Sequence, residues 1–232
     1  RRTPLVPADV KKLKDEVPAQ VLLQPSAKRC FPVEQYVEAG AQIAEELQAG
    51  DIVLGIKEIP SAKILPEKVY LFFSHTIKGQ PGNMEMLGRI IQTGGTLIDY
   101  ELIRDRNGRR LVFFGPYAGQ AGAIDACWLL GRYFFEGGTG NPLARCKQAL
   151  EYPSLAGALE SFREVGKRIE AEGLPEGLHP LIIAILGYGQ VASGVRQVLE
   201  CFPLEYVRPE DLQSASPDSS RWDPKRVYAA IF

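Results

Sequence analysis

The sequence predicts an α/β protein of two parallel-sheet domains, the second incomplete in this chain, and three observations carry that prediction. Short apolar runs alternate with helical or turn-rich stretches along the first half, the pattern of strands joined by helical crossovers. The run Leu181 to Leu186 is apolar without alternation, which suits a parallel strand covered on both faces. Directly after it stand Gly187, Gly189 and Ala192, a G-x-G-x-x-A turn that opens a helix.

Each element has its own warrant. Strands are expected at about 21–24, 52–56, 69–73, 96–99 and 111–114, where β-branched and aromatic residues cluster. Helices are expected between them at about 7–16, 34–48 and 81–92, and after the last at about 119–136. That last stretch carries Ile124, Cys127, Trp128, Leu129, Leu130, Tyr133, Phe134 and Phe135, apolar nearly all round, so burial on every side is expected, with Gly137 and Gly138 as its stop. A connector follows to Ser154, which is placed to cap a helix running to about Glu170. Beyond it come strands at about 181–186, 204–207 and 226–232. In the helix after the glycine turn, Val191, Val195, Val198 and Leu199 fall at i, i+4, i+7 and i+8, one face. The stretch 213–223, rich in Ser, Asp and Pro, reads as a loop. These elements divide the chain into a first domain over 1–137 and the first part of a dinucleotide-binding domain over 138–232, which holds about one of the two halves such a fold needs.

Bulk composition excludes several classes. A net charge of −1, from 27 basic and 28 acidic residues, leaves no electrostatic footprint for nucleic acid or an anionic membrane. Cys30, Cys127, Cys146 and Cys201 are widely spaced and the histidines are only His75 and His179, so neither a metal site nor a disulfide framework is expected. Reduced thiols in a cytosol-like compartment fit best. No segment reaches the roughly 20 apolar residues of a membrane span, and no signal peptide opens the chain. A start at Arg1 without Met and an end inside an apolar run read as a piece cut from a longer protein, of weak activity on its own.

Chemistry is expected where ionisable residues end buried strands, because ligands of open α/β sheets bind at that edge. Lys57 and His75 each sit just past such a strand, where two groups can share acid and base duties. The bland alternatives are a surface lysine paired with Glu58 and a loop histidine. Asp99 and Glu101 occupy the same kind of position, as holders of a substrate ammonium or as helix caps, and capping is the commoner use. Arg109 and Arg110 flank a turn, solvated or offering a planar fork to a carboxylate. At the glycine turn, the helix N-terminus would face a pyrophosphate.

Taken together, Arg1-Arg-Thr-Pro-Leu-Val-Pro, Gln24-Pro-Ser, Gly55-Ile-Lys-Glu-Ile-Pro, Phe72-Phe-Ser-His-Thr-Ile-Lys, Leu97-Ile-Asp-Tyr-Glu, Phe114-Gly-Pro-Tyr-Ala-Gly-Gln-Ala-Gly and Glu205-Tyr-Val-Arg-Pro-Glu-Asp-Leu resemble the lysine-ketoglutarate reductase family, the saccharopine-forming half of bifunctional aminoadipic semialdehyde synthases. The resemblance covers nearly the whole chain and extends to the wider alanine dehydrogenase and transhydrogenase group. It implies two Rossmann-like domains, the first an alanine dehydrogenase-like substrate domain, with the active site in the cleft between them. It also implies condensation of lysine with 2-oxoglutarate to saccharopine or the reverse, in lysine degradation, with NADP(H) or alternatively NAD(H) and no metal. By the same resemblance Lys57 accepts a proton and His75 donates one. Arg2, Gln80, Glu101, Arg110 and Phe114 bind substrate; Arg109, Gly187, Gly189, Gln190 and Val191 contact the cofactor.

Where the family turn is often Gly-Thr-Gly-Asn-Val-Ser, this chain has Gly187-Tyr-Gly-Gln-Val-Ala, with an aromatic ring beside the phosphates. Arg208 stands where an NAD enzyme would carry an acid, and an arginine there could meet the 2′-phosphate of NADP. Partners are then small molecules, with a homo-oligomer or a fused dehydrogenase domain as further expectations, in the cytoplasm or, in a eukaryote, the mitochondrial matrix. The competing functions are another amino-acid dehydrogenase of the same group and a non-catalytic nucleotide or amino-acid sensing module.

Overall fold

The computed structural model describes residues 2–135, 140–213 and 221–232. Arg1, the Gly137-Gly138 stop and positions 214–220 of the Ser-rich stretch lie outside the described residues. The chain divides into two compact units, Arg1–Phe113 and Phe114–Phe232.

In the first unit α1 (Pro7–Glu16) begins with Pro at its first turn, and the Asp9 carboxylate accepts the Val6 N–H at 3.1 Å. β1 (Leu22–Leu23) leads to α2 (Val33–Glu38) and β2 (Gln42–Ile43), which lies parallel to β1. The helix expected to reach about residue 48 therefore stops ten residues earlier. Gly40 adopts φ +93, Gly40 N–H donates to Val37 O at 2.8 Å and Ala41 N–H to Tyr36 O at 2.8 Å, the paired bonds of a Schellman stop. Val10, Tyr36 and Ala41 form the small core beneath.

The rest of this unit is a three-stranded parallel sheet in the order β3 (Ile52–Lys57), β4 (Val69–Phe73), β5 (Thr96–Asp99). α3 (Pro81–Gln92) crosses from β4 to β5 and buries Met86 and Ile90, one turn apart, in a core shared with Val53, Tyr70 and Phe72. Short 3₁₀ turns follow at Ser61–Lys63 and Tyr100–Leu102. The strand expected at 111–114 does not form. A hairpin turn, in which Asp105 Oδ1 accepts from Asn107 and Arg109 N–H groups, yields only a single antiparallel bridge between Arg104 and Arg110.

In the second unit α4 (Gly115–Phe135) precedes 3₁₀ turns at Pro142–Arg145 and Ala149–Glu151 and then α5 (Leu155–Glu172), capped as expected by Ser154, whose Oγ accepts the Gly157 N–H at 3.2 Å. β6 (Ile182–Ile185), α6 (Gln190–Leu199), β7 (Leu204–Tyr206), α7 (Pro209–Gln213) and β8 (Val227–Ile231) complete it. All three strands are parallel, in the order β6-β8-β7. β8 thus takes the central place that the usual dinucleotide order gives to neighbours of the first strand. Its residues Val227 to Ala230 are at most 2% exposed, which accounts for their unbroken apolar run.

Helices α4 and α6 meet backbone to backbone. A Cβ on Gly119 would fall 2.0 Å from Val191 O, and one on Gly194 2.0 Å from Pro116 O, so only glycine fits at either place. This packing groups α4 with the second unit, whereas the sequence reading closed the first domain at 137. Two expectations change with it. Burial of α4 is one-sided, through Ala123, Ile124 and Cys127, while Leu129 is 60% and Tyr133 73% exposed. The buried face of α6 is Ala192, Gly194, Val198 and Leu199, and Val191 is exposed.

Candidate active site

Parallel pairing brings the carboxyl ends of β3, β4 and β5 to one edge, and most of the singled-out residues of the first unit lie there. Between Leu54 and Lys57 the register slips, three residues of β3 spanning two of β4, so that Lys57 comes opposite Phe73. Such a bulge re-aims the side chains that follow it. Lys57 is exposed. His75 stands two residues past β4 with φ +52, a left-handed backbone that few non-glycine residues adopt, and its side chain is half-buried.

The Glu58 carboxylate, not Lys57, turns out to have the histidine as partner: His75 Nδ1 lies 3.4 Å from Glu58 Oε2. The sequence by itself offers Glu58 only as a neighbour of Lys57. Adjacent residues of an extended chain point to opposite sides, a signal that already argued against that pairing.

Asp99 at the end of β5 is 5% exposed and does cap: its Oδ1 accepts the Glu101 N–H at 2.8 Å, at the head of the 3₁₀ turn. Its Oδ2 accepts from the Ser74 N–H at 3.3 Å and, closely, from the Ser74 hydroxyl. Glu101 in turn pairs with Arg110, Oε1 to NH1 at 3.2 Å. Arg110 Nε and Gln80 Oε1, the latter at the residue preceding α3, are buried without a hydrogen-bond partner. Unmet hydrogen-bonding capacity of this kind is uncommon and costly, and here it recurs at two candidate substrate residues. Tyr100 packs edge-on against Phe73, centroids 5.3 Å apart, and burial pushes its phenol above the ordinary value.

Other candidates lie elsewhere. Arg2 is exposed ahead of α1, Arg109 is exposed on the hairpin turn, and Phe114, half-buried, is the first residue of the second unit.

In the second unit Gly187 holds φ +106 and its N–H donates to Phe232 O at 2.8 Å, which anchors the turn to the end of β8. A Cβ on Gly187 or Gly189 would meet nothing within 4 Å, so the turn is open on that side. Beside it a cleft of about 400 Å³ is lined by Leu186, Gly189, Gln190, Val191, Ala192 and Val195. The first amides of α6 lack intrahelical acceptors and suit a phosphate. These residues fit a dinucleotide. Tyr188, 76% exposed, donates its hydroxyl to Ile231 O at 3.3 Å. Arg208 is occupied: Nε and NH2 make a two-pronged contact with Asp211, each 3.1 Å, which raises the Arg208 pKa and lowers that of Asp211.

Comparison with known proteins gives consistent matches. The family "Alanine dehydrogenase/PNT, N-terminal domain" matches residues 1–121. The chain is 35% identical over 231 residues to the mitochondrial alpha-aminoadipic semialdehyde synthase of Bos taurus, covering 100% of the chain and 24% of that protein. It is 38% identical over 217 residues to the alpha-aminoadipic semialdehyde synthase of Arabidopsis thaliana, covering 91% of the chain and 20% of the relative. The saccharopine dehydrogenase [NAD(+), L-lysine-forming] of Emericella nidulans is 30% identical over 207 residues, 85% of the chain and 52% of that enzyme. The chain thus spans about a quarter of the length of the bovine relative. Among solved structures, an L-alanine dehydrogenase shares the fold with a TM-score of 0.57 at 18% identity, over 100% of this chain and 57% of that one.

Proposed function

The chain belongs to the alanine dehydrogenase/PNT N-terminal domain family, and on that premise we propose that it is the amine-handling part of an NADP-dependent oxidoreductase that joins L-lysine to 2-oxoglutarate as saccharopine, or runs the reverse. The observation that carries this reading is the arrival of Lys57 and His75 at neighbouring parallel strand ends, Lys57 opposite Phe73 and His75 two residues past Phe73, with Glu58 against the histidine and the Glu101–Arg110 pair beyond the end of β5. The names of the synthase and saccharopine dehydrogenase relatives support the substrate.

Each residue has a task in that reaction. An ammonium has no lone pair, so Lys57 takes a proton from the substrate ε-ammonium and frees the amine to attack the keto carbon. His75 gives a proton to the departing hydroxyl of the carbinolamine, which leaves as water and yields the protonated imine, the iminium. Glu58 beside Nδ1 orients the ring so that Nε2 faces the substrate. Arg2, Gln80 and Arg110 bind substrate carboxylates, Arg110 by its planar fork, with Glu101 drawing on the cationic end of lysine and Phe114 adding an apolar contact. A nicotinamide, when bound, would supply the hydride that reduces that iminium carbon to the secondary amine. Gly187, Gly189, Gln190 and Val191 would hold its pyrophosphate, Arg109 would make a further contact, and Arg208, once released from Asp211, would meet the 2′-phosphate.

The partners are the small substrates and a fused dehydrogenase domain, and the compartment is mitochondrial, as the name of the bovine relative suggests. No helix among the described residues is long and apolar enough to cross a membrane. The test is a spectrophotometric assay of the intact protein with lysine, 2-oxoglutarate and NADPH or NADH, beside pyruvate with ammonia. NADPH oxidation in the lysine mixture with saccharopine as product is expected. Turnover only with pyruvate would transfer the assignment to another amino-acid dehydrogenase, and turnover in neither mixture would favour a sensing module.

A further inference from the structure

We propose that Asp99 is the positioning residue of the edge site, a buried carboxylate that fixes the spacing between the His75 arm and the Glu101–Arg110 arm. This rests on the reading of His75 and Arg110 as substrate-facing groups. A carboxylate at 5% exposure persists only when its oxygens are satisfied, and here the two oxygens serve different arms. Oδ1 takes the Glu101 N–H, and Glu101 is the residue whose carboxylate holds Arg110. Oδ2 takes both donors of Ser74, the residue immediately before His75.

The Ser74 hydroxyl extends the hold to the other side of the histidine. It lies 2.7 Å from Thr76 Oγ1 and accepts the Thr76 N–H at 3.3 Å. The residues flanking His75 are therefore both tied, directly or through one hydroxyl, to Asp99, and His75 keeps its left-handed φ of +52 between them. A cap alone would need one oxygen. The second oxygen reaches across from β5 to the end of β4, and that crossing sets where the proton donor stands relative to the carboxylate-binding fork.

An amide at this position has one acceptor and one donor group, so Asp99→Asn must turn its NH₂ towards N–H or O–H donors on one arm. Ser74→Ala removes the hydroxyl link to Oδ2 and with it the tie to Thr76, keeps the N–H of residue 74 on Oδ2, and leaves the Glu101 N–H on Oδ1. The chain contains just two histidines, His75 and His179, so their ring signals in an NMR spectrum are assigned by replacing His179.

In Ser74→Ala the His75 signal shifts or splits while that of His179 stays, and in the intact protein kcat falls by about 10²-fold with KM for the keto acid unchanged. In Asp99→Asn the His75 signal moves, kcat falls and KM for the keto acid rises by about tenfold. Folded variants with the His75 signal and kinetic constants of the unaltered protein overturn the assignment. Should Asp99→Asn fail to fold, an unmoved His75 signal in Ser74→Ala overturns it alone. If the intact protein makes no saccharopine, the proposed reaction falls, yet the NMR comparison still decides whether Asp99 positions His75.

Discussion

His75 pays a conformational cost at its backbone, of order 1–3 kcal/mol for a side chain held at φ +52, and such strain concentrates where geometry matters for function. The thiols make the opposite case, of reactive chemistry suppressed by packing. Cys127 and Cys146 are buried, which pushes both thiols up, that of Cys146 from 9.0 to about 12, whereas Cys30 is exposed. In the folded chain an aromatic disulfide reagent at pH 8 should label Cys30 first and leave Cys127 and Cys146 unlabelled until denaturant is added; rapid reaction of all four would contradict their burial. The sign for stability follows from linkage. Between pH 9 and about 12 the unfolded thiol ionises while the folded one stays neutral, so stability falls as pH rises through that window. Urea midpoints at pH 8 and 10.5 should therefore differ less in Cys146→Ala than in the unaltered chain. Arg208 tests cofactor choice: Arg208→Ala should raise KM for NADPH about tenfold while leaving KM for NADH unchanged, and an equal effect on both would remove its role at the 2′-phosphate.

Elements were legible where local chemistry decides them. Pro7 and Pro81 at helix starts and Ser154 as a cap delimit α1, α3 and α5 without any tertiary information. The end of α2 was not legible in the expected helix at about 34–48, which runs through Gly40, although glycine is also the commonest helix stop. The apolar run at 111–114 has strand composition, but its pairing goes no further than the Leu111 N–H to Ile103 O bond beside the Arg104–Arg110 bridge, and composition carries no information about neighbours. The crossing of α4 and α6 makes the sharpest prediction at this scale. Gly194→Ala places a methyl carbon 2.0 Å from the Pro116 carbonyl oxygen, and backbone must move to admit it. Overpacking of that sort costs about 1–3 kcal/mol, to be read as a lower urea midpoint. Gly122→Ala on the facing helix α4, where a Cβ meets nothing within 4 Å, should leave the midpoint unchanged or raise it.

For the molecule as a whole, two parallel-sheet units and an edge carrying Lys57 and His75 were readable from strand ends alone, because a parallel strand necessarily delivers its last residues to the ligand side. What joins those ends was not readable. The Glu58–His75 contact, the Ser74–Asp99 bonds and the central place of β8 all depend on which strands lie side by side and in what register. The central claim is that acid and base chemistry takes place at the ends of β3 and β4. Its most direct test is the turnover of intact protein carrying Lys57→Met or His75→Gln, assayed with lysine, 2-oxoglutarate and NADPH. Each variant is predicted to lose about 10²- to 10⁴-fold in kcat while remaining folded; turnover equal to that of the unaltered protein would contradict the account.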